Sequence, residues 1–292
     1  MTTTANDPIV NFSYATDDDP WLKRIFIRAV EKTTGQPYLK NVYEQHHYTP
    51  VPGESPWQAA IRLLELNLNY NREALAHIPK TGPLAVVANH PFGVVDGLII
   101  SYLIAKVRDD FVVLTNAVLY QAEEIRRYLL PVDFSETEEA LETNIKSRAT
   151  AKAHLKQGGC LVVFPAGGAS TAPKPWSRRA VDAEWKNLSA KLIVAAKAPV
   201  LPIYFAGQNS RLFQIASHIS MTLRLSLFFR EVYDKIGGDI HLRIGSVIPY
   251  PELEKLDRKK LMDYLRTITY ALGRGLPEGP IRGRRPTLLR KS

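Results

Sequence analysis

Three unbroken apolar runs constrain this chain more than anything else in it: Leu84-Ala85-Val86-Val87-Ala88, Cys160-Leu161-Val162-Val163-Phe164 and Val200-Leu201-Pro202-Ile203-Tyr204-Phe205. Each has the length of a strand and lacks the polar alternation of a strand with one wet face, so each reads as a strand covered on both sides. Two more strands are expected at Phe111–Leu114 and Asp239–Ile244. Helical patterns fall between them, at Val94–Lys106, Gln121–Leu130, Val181–Ala196 and Asp257–Gly273. Another is opened by the capping box Ser135-Glu136-Thr137-Glu138 and runs to about Lys156, before Gly158-Gly159. Strands separated by helices predict an α/β fold, with a mainly parallel sheet flanked by helices. Ahead of it, Trp21–Thr34 and Ser55–Ile78 read as amphipathic helices with His46-His47 in the loop between. The expected organisation is an N-terminal helical region over 1–80 packed on the core, an α/β core over 81–250, and a C-terminal helix with a basic tail over 251–292. A chain of 292 residues has ample burial capacity for that.

The first apolar run leads into Asn89-His90-Pro91-Phe92-Gly93-Val94-Val95-Asp96-Gly97. Histidine takes a proton near neutral pH, and a nearby carboxylate fixes its tautomer and stabilises the imidazolium. Open α/β sheets place ligands at the carboxyl ends of their strands, where His90 and Asp96 fall. The second run ends in Pro165-Ala166-Gly167-Gly168-Ala169-Ser170. Gly167 and Gly168 let backbone N–H groups approach an oxyanion or a phosphate, and Ser170 offers a hydroxyl.

These segments together resemble the superfamily of glycerol-3-phosphate and lysophosphatidate acyltransferases, over about residues 83–205. The first motif of that family is Asn-His followed by an aspartate, matched by Asn89, His90 and Asp96. The third, Phe-Pro-Glu-Gly-Thr-Arg-Ser, is matched by Phe164, Pro165, Gly167 and Ser170, and the fourth by Val200 and Pro202. The departures are specific. Five residues separate His90 from Asp96 where the family usually has four; Ala166 stands at the family's glutamate and Ala169 at its arginine. In a loose match to the second motif, Val132-Asp133-Phe134, Phe134 stands where an arginine is usual. Those polar positions are linked in the family to a phosphate-bearing acceptor, which alanine and phenylalanine cannot bind. Relatives that acylate lyso-aminolipids such as ornithine lipids are similar in their His-Pro-Phe-Gly loop.

The resemblance implies transfer of a fatty acyl group from acyl-CoA or acyl carrier protein to the hydroxyl of a lyso-lipid. His90 would be general base and Asp96 its orienter, and Asn89, Gly93, Phe164, Pro165, Gly167, Gly168, Ser170, Arg178 and Arg179 would contact substrate. Arg178 and Arg179 would replace the lost arginine or meet an acidic carrier. No metal and no cofactor beyond the thioester co-substrate are expected. Two other classes remain open. A lipid esterase would use Ser170, His90 and Asp96, although Gly168-Ala169-Ser170-Thr171-Ala172 lacks the Gly-x-Ser-x-Gly elbow. A non-enzymatic lipid-surface protein would use the basic tail and amphipathic helices, and gives no reason for a His-Asp pair beside a glycine loop.

Charge enters the argument through its distribution. The net charge is +9, yet Lys255–Ser292 holds eleven Lys or Arg against three acids and so carries +8. Such a segment gains about 1 kcal/mol per basic residue near anionic lipid. It predicts a protein peripheral on the inner face of the cytoplasmic membrane, without a nucleic-acid partner. Met1–Pro20 has no signal-like apolar core, and His90, Pro91, Gly93 and Asp96 interrupt the longest apolar stretch, so no membrane span is expected. The single cysteine, Cys160, reads as a core residue.

Overall fold

A computed structural model describes residues 13, 15, 20–116, 122–133, 135 and 137–283. Its centre is a sheet of seven strands: β1 (Asn67–Asn69), β2 (Leu84–Ala88), β3 (Phe111–Asn116), β4 (Leu129–Val132), β5 (Cys160–Val163), β6 (Val200–Phe205) and β7 (Asp239–Ile244). Their spatial order is β1-β7-β6-β2-β5-β3-β4. All neighbouring pairs are parallel except β6 with β7. The mainly parallel α/β fold expected from the sequence is therefore the one observed.

The unbroken apolar runs are explained by two cores. Leu84, Val86 and Ala88 of β2 point to one face, and Ala85 and Val87 to the other. Cys160 and Val162 of β5 alternate with Leu161 and Val163 in the same way. Among the described residues, twelve α-helices surround the sheet: α1 (Trp21–Thr33), α2 (Gln36–Tyr48), α3 (Pro56–Leu63), α4 (Val94–Ala105), α5 (Glu123–Arg126), α6 (Glu138–Lys156), α7 (Asn187–Ala196), α8 (Arg211–Ile219), α9 (Met221–Ser226), α10 (Phe228–Tyr233), α11 (Tyr250–Leu253) and α12 (Arg258–Ala271). The first face is covered by α4, whose Ile99, Ile100, Leu103 and Ile104 are wholly buried, together with Trp57 of α3 and Val232 of α10. Ala151 and Leu155 of α6, Leu192 and Ile193 of α7, and Leu261 and Leu265 of α12 cover the second.

Several local expectations are corrected. The helix expected over Ser55–Ile78 stops at Leu63, Glu65 adopts a φ of 49°, and the chain enters β1. Asn67, Asn69 and Asn71 disfavour a helix, and the Asn71 side chain instead bonds the backbone N–H and carbonyl of Ile244. His46 and His47 lie inside α2, where the His47 Nδ1 sits 2.7 Å from Glu124 Oε1. Only one turn of the helix expected at Gln121–Leu130 forms, and Leu129–Val132 pairs with β3 as an edge strand, the position that tolerates Pro131. Thr137, not Ser135, caps α6, its hydroxyl accepting the Ala140 N–H. The helix expected at Val181–Ala196 begins at Asn187. Phe134 and the tail beyond 283 lie outside the described residues.

Replacing Leu103 by Ala removes a wholly buried side chain between α4 and the sheet. The expected loss of stability is about 2–5 kcal/mol, read from the urea unfolding midpoint at unchanged slope.

Candidate active site

Because β6, β2 and β5 are parallel neighbours, the chain leaves all three at one edge. The Asn89 side chain closes that edge. Its amide donates to the Phe205 carbonyl at 2.8 Å and accepts the Phe205 N–H at 2.7 Å, which ties the ends of β2 and β6 together. Both polar atoms of this buried amide are thus held by backbone, and Asn89 acts as a brace.

The next residue, His90, is partly exposed. Its Nδ1 stands 3.0 Å from Asp96 Oδ2, and its ring stacks on Phe164 at a centroid distance of 4.0 Å. The same carboxylate oxygen accepts the N–H groups of Phe92 (2.8 Å) and Gly93 (3.0 Å). Asp96 lies in the first turn of α4, and Gly93 precedes that helix at a φ of 74°. A β-carbon at Gly93 would lie 2.6 Å from Phe228 Cε1, so both dihedral and space demand glycine. The longer His-Asp spacing is absorbed in this turn, which folds back until the carboxylate meets its N–H groups. Burial pushes the Asp96 carboxyl above the usual range, while His90 and the two N–H groups pull it down. An ionised Asp96 accepts from Nδ1–H and leaves the His90 Nε2 as the basic nitrogen.

After β5 the glycine turn packs beside His90. Gly167 has a φ of 73° and donates its N–H to the Phe164 carbonyl at 2.9 Å. The Gly168 N–H has no acceptor among the described residues, and Gly168 is exposed. Ser170 is buried. Its N–H donates to the His90 carbonyl at 2.7 Å, but its hydroxyl donates to Asp182 Oδ1 at 2.5 Å and not to the imidazole. Pro165 is buried in the same turn, whereas Arg178 and Arg179 are exposed farther along, with Arg179 paired to Glu278 at 2.8 Å. Structure thus brings His90, Asp96, Gly93, Phe164, Pro165, Gly167, Gly168 and Ser170 together and leaves Arg178 and Arg179 on the outer surface.

Sequence reasoning missed Asp182, which only tertiary contacts reveal. Asp182 is 3 % exposed, and its carboxylate collects the His90 N–H, the Ser170 hydroxyl and the Trp185 indole N–H. The Asp182 N–H donates to the Tyr270 hydroxyl, and its carbonyl accepts from Arg266, both on α12. It missed α8 and α9 as well. Gln214 accepts the Ala172 N–H, His218 Nε2 lies 2.8 Å from the Ala172 carbonyl, and Arg224 reaches Ala169 and Thr171. No local motif marks any of these residues.

The family profile described as acyltransferase matches residues 28–279. This chain belongs to the acyltransferase family. Among curated proteins, the acyltransferase is 24 % identical over 251 residues to a lyso-glycine lipid O-acyltransferase of Bacteroides thetaiotaomicron, a match covering 80 % of this chain and 88 % of the relative. It is 24 % identical over 233 residues to one from Phocaeicola vulgatus, covering 75 % and 80 %. Among solved structures, the 1-acyl-sn-glycerophosphate (LPA) acyltransferase of Thermotoga maritima aligns with a TM-score of 0.44 at 15 % identity, over 86 % of this chain and 95 % of that one. Among the described residues of the acyltransferase, no group of three His, Cys, Asp or Glu side chains could hold a metal ion.

An Asp182→Ala acyltransferase would leave the Ser170 hydroxyl and two N–H groups unpaired in a buried place. At about 1–3 kcal/mol each, several kcal/mol of stability should be lost, visible as a drop in the thermal midpoint.

Proposed function

We propose that this acyltransferase moves a fatty acyl group from a thioester, acyl-CoA or acyl carrier protein, to the hydroxyl of a lyso-lipid. The observation that carries this reading is the His90–Asp96 pair, held at the carboxyl edge of a parallel sheet in a chain of the acyltransferase family. The names of the two curated relatives supply the acceptor class. His90 Nε2 takes the proton of the acceptor hydroxyl as its oxygen attacks the thioester carbonyl. Asp96 holds the Nδ1–H tautomer and offsets the charge of the imidazolium. The tetrahedral oxyanion then collapses, the carbon–sulfur bond breaks, and the thiolate takes the proton from His90. The unspent Gly168 N–H is suited to stabilise the oxyanion. The attacking oxygen comes from the acceptor, so no protein nucleophile is needed, and the Ser170 hydroxyl is already committed to Asp182.

We place the reaction at an anionic membrane surface. No described helix is long and apolar enough to cross a bilayer. On α1, however, Trp21, Leu22, Ile25 and Phe26 are exposed, interleaved with Lys23, Arg24 and Arg28. Helix α1 packs on α9, beside which Ile219 (68 %) and Met221 (66 %) are also exposed. Apolar side chains among basic ones suit an interface of acyl chains and acidic headgroups. The basic C-terminal segment adds to the same attraction.

With a labelled acyl thioester and a panel of lyso-lipids, the wild type is expected to transfer the acyl group. His90→Ala should be slower by about 10²–10⁴ at unchanged fold. Transfer that ignores His90→Ala would overturn the mechanism. In vesicle co-sedimentation, a Trp21→Asp/Phe26→Asp double variant should bind anionic vesicles at least about tenfold more weakly than wild type. Equal binding would remove α1 from the membrane face.

A further inference from the structure

We propose that the Arg224 guanidinium recognises an anionic group, carboxylate or phosphate, on the head of the acyl acceptor. The inference rests on the acyl-transfer reading above and adds the acceptor's charge to it. The third motif of this chain has Ala169 where the resembled superfamily carries its arginine. The structure returns a guanidinium to that point from a different element. Arg224, on α9, donates from Nη2 to the Ala169 carbonyl and from Nη1 to the Thr171 hydroxyl, both at 2.6 Å. Its guanidinium lies 5.2 Å from the centroid of the Phe213 ring, which fixes the plane of the fork. A β-carbon at Gly168 would lie 3.9 Å from Nη2, so the cation flanks the exposed side of the glycine turn. Two residues after Gly168, the Ser170 N–H is bonded to the His90 carbonyl. A headgroup on Arg224 would therefore sit a short span of loop from the proposed base.

The electrostatics at Arg224 favour an anion. Among the described residues Arg224 has no carboxylate partner, whereas Arg108 is paired with Asp110 and Arg179 with Glu278. Burial pushes its pKa down, and no acid among the described residues opposes that push. A half-buried charge without a counter-ion is costly, and a bound anion relieves the cost. Two N–H bonds hold the fork to the loop and the others have no acceptor among the described residues, which suits the paired oxygens of a carboxylate or phosphate.

The test measures binding without turnover. Calorimetry on the full-length wild type, Arg224→Gln and Arg224→Lys would compare an N-acyl glycine, its methyl ester and an alkyl phosphate of equal chain length, none with an acceptor hydroxyl. The wild type is expected to prefer at least one anion over the ester by about tenfold or more. Arg224→Gln should erase that preference and Arg224→Lys keep part of it. The better of the two anions distinguishes carboxylate from phosphate. No preference in the wild type, or one that persists in Arg224→Gln, would overturn the proposal. If Arg224→Gln does not fold, Arg224→Lys decides, an unchanged preference counting against the site. Anion binding through Arg224 in a protein that transfers no acyl group would overturn the acyl-transfer reading alone. Transfer without any anion preference would overturn this inference alone.

Discussion

The second carboxylate oxygen of Asp96 is the point from which the rest of the site is organised. It accepts from the His90 ring and from the N–H groups of Phe92 and Gly93, at 2.8 to 3.0 Å, inside a fully buried setting. A buried carboxylate is tolerated only when its charge is met by donors. Here those donors are the start of α4 and the imidazole, so the need to neutralise one charge fixes both the helix start and the histidine. Beneath them Phe92 is wholly buried, with the Lys235 amine 5.2 Å from its ring centroid and itself paired to Glu231 at 3.1 Å. The turn that carries His90 thus has little freedom on its inner side.

The loop after β5 is held from the opposite direction. Ala166 and Ala169 are buried, so two positions that carry charge in the resembled superfamily are here small and apolar. The polar work moves to distant residues. Asp182 binds the loop to His90 from one side, and Gln214, His218 and Arg224 clamp residues 169–172 from the other. Tyr270 and Arg266 in turn hold Asp182, which makes α12 part of the support for a site it does not line. The same α8–α9 hairpin faces outward with Ile215, Ile219 and Met221, joining the support of the loop to an exposed apolar surface.

Much of this was legible along the chain, and the limits of legibility have a physical cause. The three apolar runs announced a sheet covered on both faces because each residue of a doubly covered strand must be apolar, whichever way it points. The pairing of His90 with Asp96 was legible because both lie within one strand-turn-helix step, where local geometry brings them together. Edge elements were read less well. Leu129–Val132 became a strand and Ser55–Ile78 broke into helix and strand because free sheet edges at β3 and β7 offered hydrogen bonds that local propensity does not register.

What the sequence determined by itself, then, is the α/β sheet, the edge at which the proposed chemistry falls, and the pairing of the histidine with its carboxylate. Each follows from apolar periodicity or from neighbours a few residues apart. Only the tertiary structure decided the roles of Asn89, Asp182 and Arg224. Their partners, Phe205, His90 and Ala169, lie 116, 92 and 55 positions away in the chain. Nothing local distinguishes a solvated Asn, Asp or Arg from one buried against a distant backbone. That distinction is made by the cost of leaving a buried polar group unpaired, a cost that exists only once the chain has closed around it.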